Sequence, residues 1–422
     1  MPALIFKNAQ VFDGDSPRLH TGWSVRVAGD TIEAAGPQVP EDGAEVVDCG
    51  GRVLMPGLID AHVHVYAASL QLGRLAQTPL SYLTAFAAKF MRASLDAGFT
   101  TLRDVGGAEV GLATALREGL LGVMPRLFYG GRVISQTGGH GDFRPGDHAL
   151  PDRVPCGCAA HSDAMAVIAD GADAVRRAVR EELRRGAHHI KIMGSGGVVS
   201  PTDPLERCQY SDEEIRAAVE ETERAGSYVA SHCHPAEAIR RAAALGVRSI
   251  EHGTLVDAPT AAFVAERGAF VVPTMATLFA LLDQGEALGL PPASLDKLRR
   301  IGDRGLESLR LLRAAGVRMA FGTDLLGRLH TRQSTEFTLR AQALPALEIV
   351  RSAGVTAAEL MGQTGRLGCI RPGAAADLLL VNGNPLENIG LLAAGGQHLA
   401  MIMAAGRIHK RQLSVENAAG CH

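Results

Sequence analysis

Pro56-Gly57-Leu58-Ile59-Asp60-Ala61-His62-Val63-His64 reads as a strand buried on both faces and ending in two histidines. Val53 and Leu54 lead into it, Pro56-Gly57 punctuates, and the run stays apolar to Val65. Side chains alternate along a strand, so His62 and His64 project to the same side. Two imidazoles on one face at the end of a buried strand form a pincer for a divalent metal, because neutral imidazole is the commonest metal ligand. An isolated His-x-His is more often a pair of ordinary core or edge histidines. The surrounding chain decides between the two.

Outward from that strand the texture is strand, helix, strand, helix. Apolar or β-branched runs follow at 100–104, 126–130, 189–193, 227–232, 249–252, 269–273 and 319–323, making eight with the first. Amphipathic segments rich in Ala, Arg, Glu and Leu lie between them, at 173–185, 211–225, 235–245 and 295–315. Gly186, Gly226, Gly246, Gly268 and Gly316 stand where helix C-terminal caps belong. Eight such repeats over residues 57–364 predict an α/β fold, a (β/α)8 TIM barrel. Residues 1–56 differ: short strands at 4–6, 10–12, 24–27, 31–34 and 45–48, with turn chemistry at Asp13-Gly14-Asp15 and Ala28-Gly29-Asp30. From residue 365 the texture reverts to β, with a strand ending at Val381 and a hairpin over 400–409. The two ends share a type. They are expected to pair into one small discontinuous β-sandwich domain, residues 1–56 and 365–422, beside the barrel.

A chain of 422 residues, 46% hydrophobic and 21% charged, has the material for a large soluble core. A net charge of -3 and 4% aromatic residues give no basic, base-stacking surface, so no nucleic acid partner is expected. Arg, Asp or Gly interrupts every apolar run short of a membrane span, so no membrane partner is expected either. Seven cysteines without regular spacing fit a reduced interior. Cys156-Gly-Cys158, the only close pair, is one residue short of Cys-x-x-Cys and is assigned no metal or redox role. The first residues run directly into a strand rather than a signal peptide, and a cytoplasmic location is expected.

Active sites of such barrels lie at the C-terminal strand ends. There the first strand ends in His62 and His64, the fourth carries Lys191, the fifth ends in His232, the sixth in His252, and the eighth runs into Asp324. All six are expected at one mouth. Imidazoles and a carboxylate without thiolate suit Zn²⁺ or a similar ion. Lys191 is the informative member, because an ammonium cannot bind a cation and is costly to bury beside one.

These residues resemble those of the metal-dependent amidohydrolase superfamily, and the likeness covers nearly all of the chain. It is carried by His62-Val63-His64, Lys191, Ser231-His232-Cys233-His234, Ile250-Glu251-His252-Gly253 and Gly322-Thr323-Asp324. Pro56-Gly57-Leu58-Ile59-Asp60 and Pro372-Gly373-Ala374-Ala375-Ala376-Asp377-Leu378 are further phrases of the same kind. The resemblance implies two divalent metal ions, Zn²⁺ by preference, and a carbamate formed from CO₂ on Lys191 that bridges them. It places His62, His64 and Asp324 on one ion and His232 and His252 on the other, and it implies a homo-oligomer. The segments 137–142, after the third strand, and 191–204, after the fourth, are similar to the Xaa-Pro dipeptidase-like and ochratoxin-hydrolysing subgroup. The activity implied is hydrolysis of amide bonds in dipeptides or N-acyl amino acids, including ochratoxin A to ochratoxin α and phenylalanine.

Mechanistic roles follow from that reading. Two ions sharing a water make it a nucleophile near neutral pH, Asp324 takes and returns its proton, and His140 is a candidate donor to the developing oxyanion. His234, two residues past His232, is expected in the substrate pocket. A dipeptide-like carboxylate wants a guanidinium, and Arg328, Arg207 and Arg144 are the candidates. Gly194 to Gly197, with the loop from Thr137 to Ser162, are expected to form a mobile cover. His188-His189 sits at the start of the fourth strand and is given no catalytic part. A cyclic-amide or deaminating amidohydrolase is the alternative enzyme; deaminases of the family usually use one metal and lack the lysine. A non-catalytic scaffold homologue is the other rival, and all six ligand positions are filled here.

Overall fold

The computed structural model describes residues 3–75, 77–144, 165–200 and 203–413. Strands that are apolar on both faces need cover on both, and those from Leu58 to Met319 run parallel, most with helices between them. Seven form one sheet in the order Ala166–Ile168, Val133–Ser135, Ile190–Met193, Val229–Pro235, Ser249–Leu255, Phe270–Val272 and Arg318–Met319. Three more, Leu58–Val63, Phe99–Asp104 and Arg126–Tyr129, form a second parallel sheet. Backbone hydrogen bonds of 2.8 Å join the edges of the two, from Ala61 N–H to Phe321 O and from Asp324 N–H to His62 O. This is an α/β fold of TIM-barrel type.

Two features differ from the sequence expectation. The third strand does not end at Gly130 but resumes as Val133–Ser135, and Ala166–Ile168 adds beside it. Gly131 causes the break: its φ is +71°, and a Cβ there would run into the Glu182 carboxylate. That carboxylate takes the Arg132 backbone N–H at 3.1 Å and its Nε at 2.8 Å. The helix expected over 295–315 is two helices, Pro292–Gly302 and Arg304–Ala314, parted where Gly302, a poor helix former, meets Asp303.

The remaining helices follow their local signals. Asp212–Arg224 starts at a capping box, with Ser211 Oγ accepting from Glu214 N–H and Glu214 Oε2 accepting from Ser211 N–H. Gly186, Gly226, Gly246, Gly268 and Gly316 all have positive φ, as helix stops require.

The chain ends make two further sheets. Thr31–Gly36, Ser24–Ala28, Ala3–Lys7 and Ala44–Asp48 form one. The other mixes the termini: Val53–Pro56 pairs antiparallel with Leu378–Val381, which pairs with Leu399–Ala404. Phe6, Val25, Ile32 and Val47 from the first share a buried cluster with Leu378, Met401 and Met403 from the second. Among the described residues no helix is long and apolar enough to cross a membrane. Cys156 and Cys158 lie outside the described residues, and Cys49, Cys208, Cys233 and Cys369 are free.

Asp60, fully buried, fastens the first strand to the turn after the last. It accepts from His62 N–H at 3.1 Å, Thr323 N–H at 3.2 Å, Thr323 Oγ1 at 2.7 Å and Gln333 Nε2 at 2.8 Å. Asp60→Ala strands four buried donors, and each unmade bond of this kind costs about 1–3 kcal/mol before partial rehydration. The expected loss is about 3–4 kcal/mol, read as a lower urea midpoint at unchanged slope in metal-free protein. A shift below about 1 kcal/mol would show that the strand-end seam does not depend on this carboxylate.

Candidate active site

His62, His64, Lys191, His232, His252 and Asp324 line one cavity at the C-terminal ends of the parallel strands. His62 Nε2 and His64 Nε2 each stand 3.3 Å from Asp324 Oδ1, and His252 Nδ1 stands 3.9 Å from its Oδ2. The candidate ligand atoms of His62, His64 and Asp324 all lie within 4.8 Å of one another, a spacing that suits a metal ion. Rings continue the cluster: His232 lies 4.6 Å from His252 between centroids, and His62 4.9 Å from His252.

Each of these imidazoles is tied at one nitrogen. His62 Nδ1 donates to Glu251 Oε2 at 2.7 Å, His64 Nδ1 to Gly106 O at 2.8 Å, and His232 Nε2 to Gly196 O at 3.1 Å. His252 Nδ1 meets Thr274 Oγ1 at 2.8 Å. A carbonyl can only accept, so the tethered nitrogens of His64 and His232 carry the proton, and in the neutral ring the lone pair lies on the other nitrogen. His62 Nε2 is buried without a hydrogen-bond partner. Lone pairs and a carboxylate oxygen facing one another call for a cation, and imidazole nitrogens with carboxylate oxygen fit Zn²⁺ or a similar ion.

Electrostatics agree with that geometry. Burial works to raise the Asp324 carboxyl, but the facing His62, His64 and His252 rings outweigh it and hold it well below the usual carboxylate range. Burial pushes His232 and His252 well below the ordinary histidine value, and His234 down to about 3, so these rings are neutral lone-pair donors. Lys191 is 2% exposed, and burial lowers its ammonium despite the acids Glu251 and Asp324 nearby. Among the described residues no carboxylate lies within ion-pairing distance of it.

His140 and His234 also line the cavity. The His140 ring stacks on His232 at 4.3 Å, with Nδ1 2.9 Å from Ser200 Oγ and 3.4 Å from Asp203 Oδ2. None of the three arginines is among the described residues that line the cavity. Arg328 and Arg207 are exposed, and Arg144 is engaged by Asp142 at 2.7 Å. Arginine heads are well solvated in loops, and proximity in sequence to Asp324 does not aim one inward. His188 and His189 stay away from the cavity, against Tyr129 and Tyr228.

The glycine run is packed against its neighbours. Gly194, Gly196 and Gly197 are buried, and a Cβ at each would strike, in turn, Ser231 Oγ, the Pro204 carbonyl or the His140 ring. These glycines admit close approach. Lys297 staples the run from above, donating to Gly197 O at 3.0 Å, Ser200 O at 2.8 Å and Asp203 O at 2.6 Å. Much of the loop between Thr137 and Ser162 lies outside the described residues.

Several residues of this architecture escape sequence reading. Glu251 and Arg103 are 0% exposed and paired at 2.8 Å behind His62. Asp104 accepts from Val65, Gly106 and Ala108 N–H, holding the turn whose Gly106 carbonyl tethers His64. Glu251 and Asp104 were both visible as acids at strand ends, a signal beside the histidines. Lys297 comes from a distant helix and had none.

Polar side chains gathered at the carboxyl ends of parallel strands stand where TIM-barrel enzymes carry their active sites. Comparison with known proteins carries this further: the chain belongs to the amidohydrolase family, which matches residues 53–408. It is 33% identical over 350 residues to ochratoxinase of Aspergillus niger, covering 80% of this chain and 72% of that protein. A prolidase solved with N-methylphosphonate-L-proline is 44% identical, with a TM-score of 0.93 over 97% of this chain and all 100% of that one. A Xaa-Pro dipeptidase solved with methionine in its active site is 29% identical, with a TM-score of 0.85 over 97% and 100% of the two chains.

Lys297→Met keeps the apolar stem but removes three hydrogen bonds from the loop beside His140. Trypsin cleavage after the exposed Arg207 is expected to accelerate at least about tenfold, the equivalent of 1.4 kcal/mol of lost protection. An unchanged cleavage rate would mean that the glycine packing alone holds the loop.

Proposed function

We propose that the protein is a binuclear metal-dependent hydrolase of amide bonds in dipeptides and N-acyl amino acids, of the Xaa-Pro dipeptidase kind. Ochratoxin A, cleaved to ochratoxin α and phenylalanine, falls within that class. The observation that carries the reading is Lys191, a buried lysine that shares its cavity with the four histidines and the aspartate of the candidate metal site and has, among the described residues, no carboxylate within ion-pairing distance. As a carbamate it would be an anion between two cations, which gives its burial a reason. His62, His64 and Asp324 would hold one ion, His232 and His252 the other, and Lys191 would span both. Bound, such a pair supplies Lewis-acid polarisation and a water acidic enough to attack near neutral pH.

The chain's own groups do the rest. Asp324 accepts the proton of the attacking water and returns it to the leaving nitrogen. His140, its Nδ1 held 2.9 Å from Ser200 Oγ and facing Asp203 Oδ2 at 3.4 Å, is the candidate donor to the developing oxyanion. His234, neutral and 6% exposed, lies beside the substrate. Leu278, Leu281, Leu298 and Ile301, from the helices Met275–Gln284 and Pro292–Gly302, form an apolar wall that takes a hydrocarbon side chain and excludes water. The prolidase and Xaa-Pro dipeptidase likenesses, each with an amino-acid-derived ligand, support this substrate class. The same reading has residues 57–364 as a closed barrel and residues 1–56 with 365–422 as a β-sandwich; the edge hydrogen bonds and the shared terminal core support it.

Two measurements test the reading. Lys191→Ala is expected to lose at least one metal per chain and most activity; a variant that keeps two metals and near-normal turnover sinks the carbamate. Asp324→Asn is expected to retain some metal while kcat falls by about 10²–10⁴ or more, the usual worth of a general acid–base. The substrates are Xaa-Pro dipeptides and N-acyl amino acids with the metal-loaded enzyme. Turnover of cyclic amides in their place would move the protein to the other branch of the family.

A further inference from the structure

Behind His62 lies a chain of buried charge that the proposed reaction does not use. Glu251 and Arg103 are both 0% exposed. Glu251 Oε2 accepts from His62 Nδ1–H at 2.7 Å, and Oε1 accepts from Arg103 Nη2 at 2.8 Å and Ser249 Oγ at 2.5 Å. Arg103 reaches on with Nη1 to Ala61 O, also at 2.8 Å, the carbonyl directly before His62. Three strands are thereby pinned around a single imidazole.

Such a pair is a poor way to gain stability alone. Taking both charges out of water costs several kcal/mol per ion, and a well-packed apolar pair of similar volume often does as well. The tethers of the neighbouring rings make the contrast. His64 and His232 are tied by the carbonyls of Gly106 and Gly196, and His252 by the Thr274 hydroxyl. Among these four only His62 is tied by a carboxylate, and that carboxylate is itself ion-paired. A carboxylate on Nδ1–H fixes the tautomer, orients the ring and makes Nε2 the stronger donor. His62 Nε2 is the buried nitrogen without a hydrogen-bond partner, 3.3 Å from Asp324 Oδ1.

We infer that Glu251, held by Arg103, is a positioning residue that sets the metal affinity of the His62–His64–Asp324 site and not that of the His232–His252 site. This rests on the binuclear reading above. The asymmetry follows from geometry: Glu251 bonds to His62 and to none of the other three rings.

The test is stepwise metal binding by chelator competition on demetallated full-length protein, with thermal melting of the metal-free proteins as a fold check. Wild type is expected to bind two divalent ions tightly. Glu251→Gln is expected to keep one tight site and to weaken the other by about 10–100-fold, the usual cost of losing such an outer partner. Equal affinities in wild type and variant, or an equal loss at both sites, overturn the inference and leave the binuclear reading standing. A wild type that binds no divalent ion overturns both. Should the Gln variant fail to fold, Glu251→Asp keeps the charge but shortens the reach by one methylene. A selective loss at one site is again expected, and none would overturn the inference.

Discussion

The constraint on which the cavity depends is the meeting of His62 Nε2 and His64 Nε2 with one oxygen of Asp324, each at 3.3 Å. Imidazole lone pairs and a carboxylate repel in that arrangement unless a proton or a cation lies between them. Tethers on the far nitrogens keep the rings from turning away, with Gly106 O behind His64 and Glu251 behind His62. The arrangement suits a cation held among the three groups, as their spacing does.

Buried carboxylates supply the preorganisation at several of the strand ends. Asp60 links the first strand to the turn after the last, Asp104 holds the turn after the second, and Glu251 joins the sixth strand to the first and second. Asp203 anchors the glycine run through Gly197 N–H. Each carboxylate is costly to bury, and each is matched by several donors. The apolar core positions strands to within their packing tolerance. The carboxylates then fix the loop ends, where packing gives no direction.

Much of this was legible in sequence. Apolar runs bounded by capping glycines gave the parallel strands, and Gly186, Gly226 and Gly246 carry the positive φ expected of helix stops. The six residues at strand ends share one cavity because strand ends are the one place where period-two alternation and loop chemistry coincide. What was not legible depends on the third dimension. Arg207 and Arg328 are near Asp324 or Lys191 in sequence, yet solvent holds their heads outside. Gly194 to Gly197 looked mobile because glycine permits mobility, but in a crowded place it equally permits contact. Lys297, which decides between the two, lies about a hundred residues away: Lys297 Nζ bonds the carbonyl of Gly197 at |i−j| = 100.

Alternation alone does not build this site. Glu251 and His252 are neighbours on one strand, so a regular strand would turn one of them outward. Both face inward, Glu251 to His62 and Arg103, and His252 into the cavity. The backbone resolves the conflict at His252, whose φ is +70°, and it does so again at Asp324, whose φ is +53°. Left-handed backbone at a residue with a side chain costs about 1–2 kcal/mol. Here it is held by named bonds: Asp324 N–H to His62 O at 2.8 Å, and His252 Nδ1 to Thr274 Oγ1 at the same distance. The two strained positions are the two whose side chains close the cluster opposite His62 and His64. Strain placed at those points converts a one-face strand pattern into an enclosed ring of donors, which a pleated sheet left to its own geometry cannot make.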